Sequence, residues 1–138
     1  TPAGSAFKIA LYSSNSATLG TTTTAYAAPS DAAADPTSTY EVTTTSSGYT
    51  GGGSALTNTG TAKSTTTSYT DFSDISWTSA SFTARGCMIY NSSTISGLTT
   101  NATVCIIDFG GDKTVSSGTF TIQFPTNDSS DAIIRITS

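Results

Sequence analysis

Hydrophobic and polar residues alternate in short segments along this chain, which is the pattern of β-strands with one buried face. In residues 6–13, every second side chain from Phe7 to Leu11 is large and apolar, and this predicts a half-buried strand. Residues 75–82 and 118–125 alternate in the same way. These three segments predict strands that pack one face against a core.

Two further segments, residues 84–92 and 102–110, have apolar residues at consecutive positions and not only at every second one. They are therefore predicted to be strands buried on both faces. Shorter or Thr-rich segments are also predicted to be extended. They are a short strand in 39–45, one or two strands in 55–73 and a last strand in 132–138.

Turn residues recur roughly every eight to twelve residues, the spacing typical of sandwiches and barrels, and no long segment has helical periodicity. We therefore predict an all-β fold: a single-domain antiparallel β-sandwich over residues 1–138, with long Ser/Thr/Gly-rich loops. Jelly-roll and Ig-like topologies both remain open. Residues 1–6 are a candidate N-terminal arm, and residues 14–38 a long surface loop with one helical turn near 29–35.

The composition agrees with this fold class. Ser and Thr make up about four residues in ten, hydrophobic residues 36% and charged residues only 10%. Threonine and aromatic residues favour strands, and the six Phe and six Tyr distinguish the chain from a disordered one.

The net charge of −4 comes from nine acidic and five scattered basic residues. Nucleic-acid and anionic membrane surfaces attract proteins through clusters of Lys and Arg. We therefore expect neither nucleic acid nor membrane as a partner.

The chain has no histidine, which removes the usual general base and the usual nitrogen ligand of metals. Cys87 and Cys105 lie in apolar segments and are predicted to be free thiols, although a disulfide between neighbouring strands stays open. We expect no cofactor, no metal and no enzymatic activity.

Residues 106–124 contain Asp108-Phe109-Gly110, a tripeptide that also occurs in protein kinases, but the other kinase motifs are absent from the sequence. The glycine pair beside Lys113 lacks the spacing of a phosphate-binding loop. We interpret the segment as a β-hairpin in which Gly110, Gly111 and Asp112 shape the connection.

Three pairs of aspartates could offer loop carboxylates to Ca²⁺ or act as a glycosidase pair, but none has a diagnostic spacing. These pairs are Asp31/Asp35, Asp71/Asp74 and Asp128/Asp131. Aspartate also initiates turns without any ligand, and this is the interpretation that we favour.

Several tyrosines lie in polar, Gly- and Thr-rich surroundings, where they could anchor an interface or cover the edges of the protein's own core. The candidate interface residues are Thr1, Pro2, Phe7, Tyr26, Tyr40 and Tyr49.

The segments "DFSDISWTSASFTARGCMIYN" and "VCIIDFGGDKTVSSGTFTIQFP", with "FKIALYSSNSATLGTTTTAY", "GYTGGGSALT" and "AIIRI", resemble a family of small virion proteins of tailed bacteriophages. The resemblance covers most of the chain in the same order and is densest from Asp71 to Ile136. It implies a non-enzymatic structural protein.

Within such particles, the leading expectation is a capsid decoration (cement) protein on the outer capsid surface of the virion. Its partners would be the major capsid protein of the phage shell and further copies of itself in a homotrimer, and residues 1–6 and 21–39 would contact the shell. The alternatives are a tail, neck or fibre component, or a host-surface carbohydrate-binding module.

Overall fold

The computed structural model describes residues 6–13, 19, 23–26, 40–42, 47–94, 97 and 99–137, and within them the chain is all-β. Seven strands follow one another in the sequence. They are β1 (Phe7–Tyr12), β2 (Ser54–Leu56), β3 (Asn58–Ser64), β4 (Thr67–Phe72), β5 (Ile75–Asn91), β6 (Thr103–Ile122) and β7 (Ile134–Thr137).

The strands form two antiparallel sheets, one with the order β2-β1-β5-β6 and one with the order β3-β4-β7. The two sheets pack against each other around a shared core of side chains from both, which includes Leu11, Phe72 and Trp77. The predicted single-domain antiparallel β-sandwich is confirmed. The choice between jelly-roll and Ig-like topology stays a prediction.

Strand β1 lies in the middle of the four-stranded sheet, between β2 and β5, and this corrects the predicted half-burial. Ile9 and Leu11 pack in the core between the sheets. Ala10 and Tyr12, on the opposite face, belong to a second apolar cluster with Leu19. Both faces of the strand are therefore covered, because residues outside the two sheets also pack on it.

Strand β5 is one continuous strand of 17 residues, although the sequence predicted separate strands in 75–82 and 84–92. Its second half is buried on both faces, as predicted: Cys87, Met88 and Ile89 are fully buried. A single strand can bend here because the β5–β6 pairing contains several register shifts, and Ser79 at φ +51° accompanies one of them.

Strand β6 is likewise one strand of 20 residues, so the hairpin predicted within 106–124 is wrong. Four residues, 109–112, lie opposite the single residue Arg85, because Gly86 pairs with Asp108 and Ala84 with Lys113. The predicted turn is a large bulge in a continuous strand, in which Gly110 adopts φ +72°. The connection of the actual hairpin, between β5 and β6, lies in residues 92–102.

The prediction of a strand buried on both faces in 102–110 is also wrong. Strand β6 ends the four-stranded sheet, and its residues alternate between half-buried and exposed over most of its length. A strand at the edge of a sheet has a neighbour on one side only, so apolar composition alone does not bury it.

The remaining predicted strands are shorter than expected or differently divided. Residues 55–73 contain most of β2 and all of β3 and β4, while 132–138 contains only the short β7. Within 39–45, Glu41 forms an isolated bridge with Tyr12. The helical turn predicted near 29–35 lies outside the described residues.

Gly53 allows β2 to approach β1 closely. A Cβ atom at this position would lie 1.8 Å from the carbonyl oxygen of Ile9, and the backbone has φ +72°. Only glycine satisfies both requirements, since it has no Cβ and populates positive φ without strain.

Candidate functional site

An apolar cleft of about 590 Å³ lies along the last residues of β6 and the segment that follows it. We call it the β6 cleft. Its lining consists of Cys87, Ile107, Phe109, Lys113, Phe120, Thr121, Ile122, Gln123, Phe124, Pro125 and Ile133. A volume of this size lies within the range typical of ligand-binding pockets.

The apolar lining of the β6 cleft is the margin of the core between the sheets. Phe109, Phe120 and Phe124 are half-buried, and they pack on fully covered core residues. Their rings also pack on other rings: Phe120 lies 5.1 Å from Phe82, and Phe124 lies 5.7 Å from Phe72, between ring centroids. The cleft therefore offers fixed aromatic surface on one side and solvent on the other.

Lys113 is the one lining residue that carries a full charge, and it is exposed. Nearby, Arg85 lies 3.7 Å from Asp108 and 3.9 Å from Asp112. In the part of the chain that the structure describes, no ion pair includes Lys113. The charge at this rim is therefore available to an anionic group of a bound molecule.

A second arrangement of polar groups surrounds Glu41 on another part of the four-stranded sheet. The hydroxyl of Tyr49 donates to its Oε1 at 2.6 Å, the hydroxyl of Tyr26 to its Oε2 at 2.9 Å, and the backbone N–H of Gly52 to Oε1 at 2.7 Å. Tyr90 donates to the carbonyl oxygen of Gly52 at 2.6 Å. We call these five residues the Glu41 cluster.

The Glu41 cluster is packed as well as hydrogen-bonded. The rings of Tyr26 and Tyr90 are stacked, with centroids 4.5 Å apart and planes 8° from parallel. Tyr49 also accepts a hydrogen bond from the backbone N–H of Leu11, at 3.0 Å. One carboxylate thus joins the segments 23–26, 40–42 and 47–53 to strand β1.

Burial, together with the negative charge of Glu41, raises the pKa of all three tyrosines in the cluster. The pKa of Tyr90 rises to about 12. The pKa values of Tyr26 and Tyr49 rise further, because their hydroxyls also donate hydrogen bonds to the carboxylate. The hydroxyls therefore stay protonated at neutral pH and act as hydrogen-bond donors within the cluster.

The predicted interface residues fall into three groups. Thr1 and Pro2 lie outside the described residues. Phe7 and Tyr40 are half-buried, and their role in an interface stays a prediction.

Tyr26 and Tyr49 are buried, with 7% and 3% of their surface exposed. They pack inside the chain, which is the alternative that the sequence left open for the tyrosines. In this conformation they offer almost no surface to a partner.

Several of the paired aspartates accept backbone hydrogen bonds, as turn-forming aspartates do. Asp71 is fully buried and accepts from the N–H groups of Phe72 and Ile133. Asp74 accepts from the N–H of Phe124, and Asp128 accepts from the N–H groups of Ser130 and Asp131. Asp31 and Asp35 lie outside the described residues.

Among the residues that the structure describes, no three His, Cys, Asp or Glu side chains come together closely enough to hold a metal ion. The two cysteines are free thiols, as predicted.

Sequence reasoning missed both the Glu41 cluster and the β6 cleft. The signal for the first was available: Glu41 is the single glutamate of a charge-poor chain and is surrounded in sequence by tyrosines. For the cleft, the alternation of Phe120, Ile122 and Phe124 was recognised, but alternation does not tell how completely the opposite sheet covers a face.

No helix in the described segments is long and apolar enough to cross a membrane. In comparisons with protein-family models, with curated proteins and with solved structures, nothing matched the chain.

Proposed function

We propose that this chain is a non-enzymatic structural protein of a tailed-bacteriophage particle that binds other proteins of the particle. The observation that carries the proposal is the β6 cleft, an open apolar surface beside an edge strand. Surfaces of this kind bind other polypeptides, because both the apolar area and the free backbone groups gain from being covered.

The chemistry of the described polar groups supports binding over catalysis. Glu41 and Asp71 are occupied by hydrogen bonds that hold the fold together. Arg85 lies beside Asp108 and Asp112. These groups stabilise the protein, and the β6 cleft is lined mainly by aliphatic and aromatic side chains.

The more specific proposal is a capsid decoration protein on the outer surface of the virion. It rests on the resemblance described for residues 71–136 and on the sandwich fold, which provides a compact domain with uncharged polar faces. Pairs of Ser and Thr hydroxyls across β5 and β6, such as Ser76 with Thr121 and Thr83 with Thr114, are typical of these faces. The proposed partners are the major capsid protein and two further copies of the chain.

A carbohydrate-binding module is the second candidate, and it needs flat aromatic rings on an accessible face. Every Phe, Tyr and Trp of the chain lies in the described part, and each is buried or half-buried. Most of the rings pack on one another, as Trp77 and Phe120 do at 6.1 Å. This packing favours a structural role for the rings.

The test is the copy number of this protein in purified virions of the phage that encodes it, measured by quantitative mass spectrometry against the major capsid protein. A ratio near one per capsid subunit is expected for a decoration protein. A dozen copies or fewer per particle would support a tail, neck or fibre component instead, and absence from the virion would contradict the proposal altogether.

A further inference from the structure

We propose that the β6 cleft binds an extended segment of another protein as an added β-strand, with apolar side chains in the cleft and a carboxylate beside Lys113. The inference deepens the proposed function and rests on it only for the source of the partner, a protein of the phage particle. The site itself is defined by this chain alone.

The first reason is the position of the cleft along the backbone. Residues 120–125 are consecutive, and all six line the cleft. Side chains alternate between the two faces of a strand, so a cleft on one face would be lined by every second residue. Of these six, Phe120, Thr121 and Ile122 end β6, and residues 123–125 follow it. Thr121 lines the cleft together with its two neighbours, whose side chains lie on the other face, so the cleft reaches the edge of the strand.

The second reason is that this edge has no partner among the described strands. β6 ends the sheet order β2-β1-β5-β6, so its last residues pair with β5 on one side only. On the other side, every second residue of a strand directs its N–H and C=O groups outward. An added strand satisfies these groups, which is the basis of β-augmentation.

The third reason is the spacing of the apolar surface. Phe120 and Ile122 alternate along the end of β6 and Phe124 follows two residues later, and all three remain half-buried although they pack on the core. A neighbouring strand places side chains at the same two-residue spacing. Two or three Val or Ile residues of a partner strand would cover these side chains and complete the core margin.

The positive charge of Lys113 at the rim of the β6 cleft favours a partner strand with an acidic residue. Lys113 lines the cleft, whereas Asp108 and Asp112 lie beside Arg85. An acidic residue on the bound strand would pair with Lys113.

A second copy of this chain fits less well. Among the described strands, the edge strand with a largely exposed apolar side chain is β7, and its four residues include Arg135 but no carboxylate that could pair with Lys113.

The experiment uses the full chain and a short capped peptide that alternates Thr with Val or Ile and carries one Glu. In two further peptides every second residue is N-methylated, so that one peptide is methylated along one edge of the strand and the other peptide along the opposite edge. A fourth peptide has Lys in place of Glu. N-methylation removes backbone donors from one edge while leaving all side chains unchanged. Binding is measured by fluorescence polarisation and mapped by amide hydrogen exchange.

We expect saturable binding of the parent peptide, with slower hydrogen exchange at residues 118–122. Methylation of one edge should weaken binding by about tenfold or more, and methylation of the other edge should change it little. The Lys peptide should bind about threefold to tenfold more weakly than the Glu peptide. Lys113→Glu should reverse this preference, and Lys63→Glu, an exposed control on β3, should not.

Failure of the parent peptide to bind, equal effects of methylating the two edges, or protection away from β6 would overturn the proposal. So would a concentration-dependent dimer whose β6 amides are protected without peptide, since the occupant would then be a second copy. Peptide binding does not depend on the presence of the protein in virions. The two proposals can therefore fail separately.

Discussion

The side chain of Glu41 links three irregular segments of the described part of the chain. Its carboxylate accepts hydrogen bonds from two tyrosine hydroxyls and one backbone N–H. Hydrogen bonds to a charged acceptor are stronger than neutral ones, and a buried donor left without an acceptor is costly. These bonds add a side-chain link to the backbone hydrogen bonds that join the segments 23–26, 40–42 and 47–53 to the rest of the fold.

Replacing Glu41 by Gln should lower the free energy of unfolding by about 1–3 kcal/mol, because the amide nitrogen cannot accept the hydrogen bond from Tyr26 or Tyr49. Urea denaturation measures the change. The control is Asp112→Asn, which neutralises an exposed carboxylate and should cost no more than about 0.5 kcal/mol. Equal losses in the two variants would show that the cluster contributes only through charge.

The cluster also predicts the response to alkaline pH. Burial raises the pKa of Tyr90 from 10.0 to about 12 in the folded protein. The unfolded chain therefore releases this proton first, so the stabilisation is complete below pH 10 and is lost as the pH rises through 12. Tyr26 and Tyr49 act in the same direction.

Absorbance of tyrosinate during a pH titration measures this behaviour. We expect Tyr26, Tyr49 and Tyr90 to remain protonated at pH 11 and to ionise together as the chain unfolds. Tyr90→Phe should reduce the amplitude of this late phase while leaving the early phase unchanged. Ionisation of these three residues in a chain that is still folded would contradict the assignment.

Gly53 is a second residue on which stability depends, because the backbone of β1 leaves no room for a side chain there. Gly53→Ala should destabilise the protein by about 3 kcal/mol or prevent folding, because the new Cβ would overlap the carbonyl of Ile9. Gly60→Ala is the matched control, since Gly60 has φ +95° and no atom lies within 4 Å of the added Cβ. Only the backbone strain, about 1 kcal/mol, is expected there. Thermal unfolding of both variants provides the comparison.

At the level of strands, the sequence identified most elements but not their continuity. Alternation located β1, the first half of β5 and the end of β6, and continuous apolar composition located the second half of β5, because both patterns are local properties of the sequence. It did not show that residues 109–112 form a bulge, since glycines and an aspartate are equally suited to a hairpin turn and to a bulge. Continuity is decided by the partner strand, which is distant in sequence.

The burial of individual strands depends on their position in the sheet, which the sequence does not specify. β1 was predicted to be half-buried and is central, whereas the first half of β6 was predicted to be fully buried and lies at an edge. The β6 cleft could not be predicted for the same reason: its existence depends on which strand lacks a neighbour.

Asp71 connects two elements that the sequence does not relate. Its carboxylate caps the N–H of Ile133, just before β7, and thereby fixes this edge strand beside β4. Asp71→Ala should cost about 2–4 kcal/mol, because two backbone donors lose their acceptor at a fully buried position. In the same variant, the hydrogen exchange of the β7 amides should become faster.

The control for this prediction is Asp74→Ala. Asp74 also accepts a backbone hydrogen bond, from Phe124, but it is exposed, so water can replace the carboxylate. We expect a loss of no more than about 1 kcal/mol and unchanged exchange in β7. A loss as large as that of Asp71→Ala would mean that burial is not what makes Asp71 important.

For the molecule as a whole, the two thiols report on opening of the core. Burial raises the pKa of Cys105 to about 11, and it raises the pKa of the fully buried Cys87 in the same direction, with a further contribution from Cys105. Since the thiolate is the reactive form, both cysteines should react slowly in the native protein.

We expect Ellman's reagent to modify Cys87 at the rate at which the chain unfolds, so that the rate rises with urea concentration. Ile136→Cys provides the control, because 72% of Ile136 is exposed and a thiol there should react at once. Rapid modification of Cys87 in the absence of denaturant would show that the floor of the β6 cleft opens without unfolding.

The order of the strands also makes the resistance of this protein to mechanical load depend on where the load is applied. Tension on β7 acts on an edge strand that β4 alone holds through four residue pairs, which can separate one after another. Tension on β1 acts on a strand paired with β5 through six residues and with β2 through three. An attachment through β1 would therefore withstand a pulling force better than one through β7.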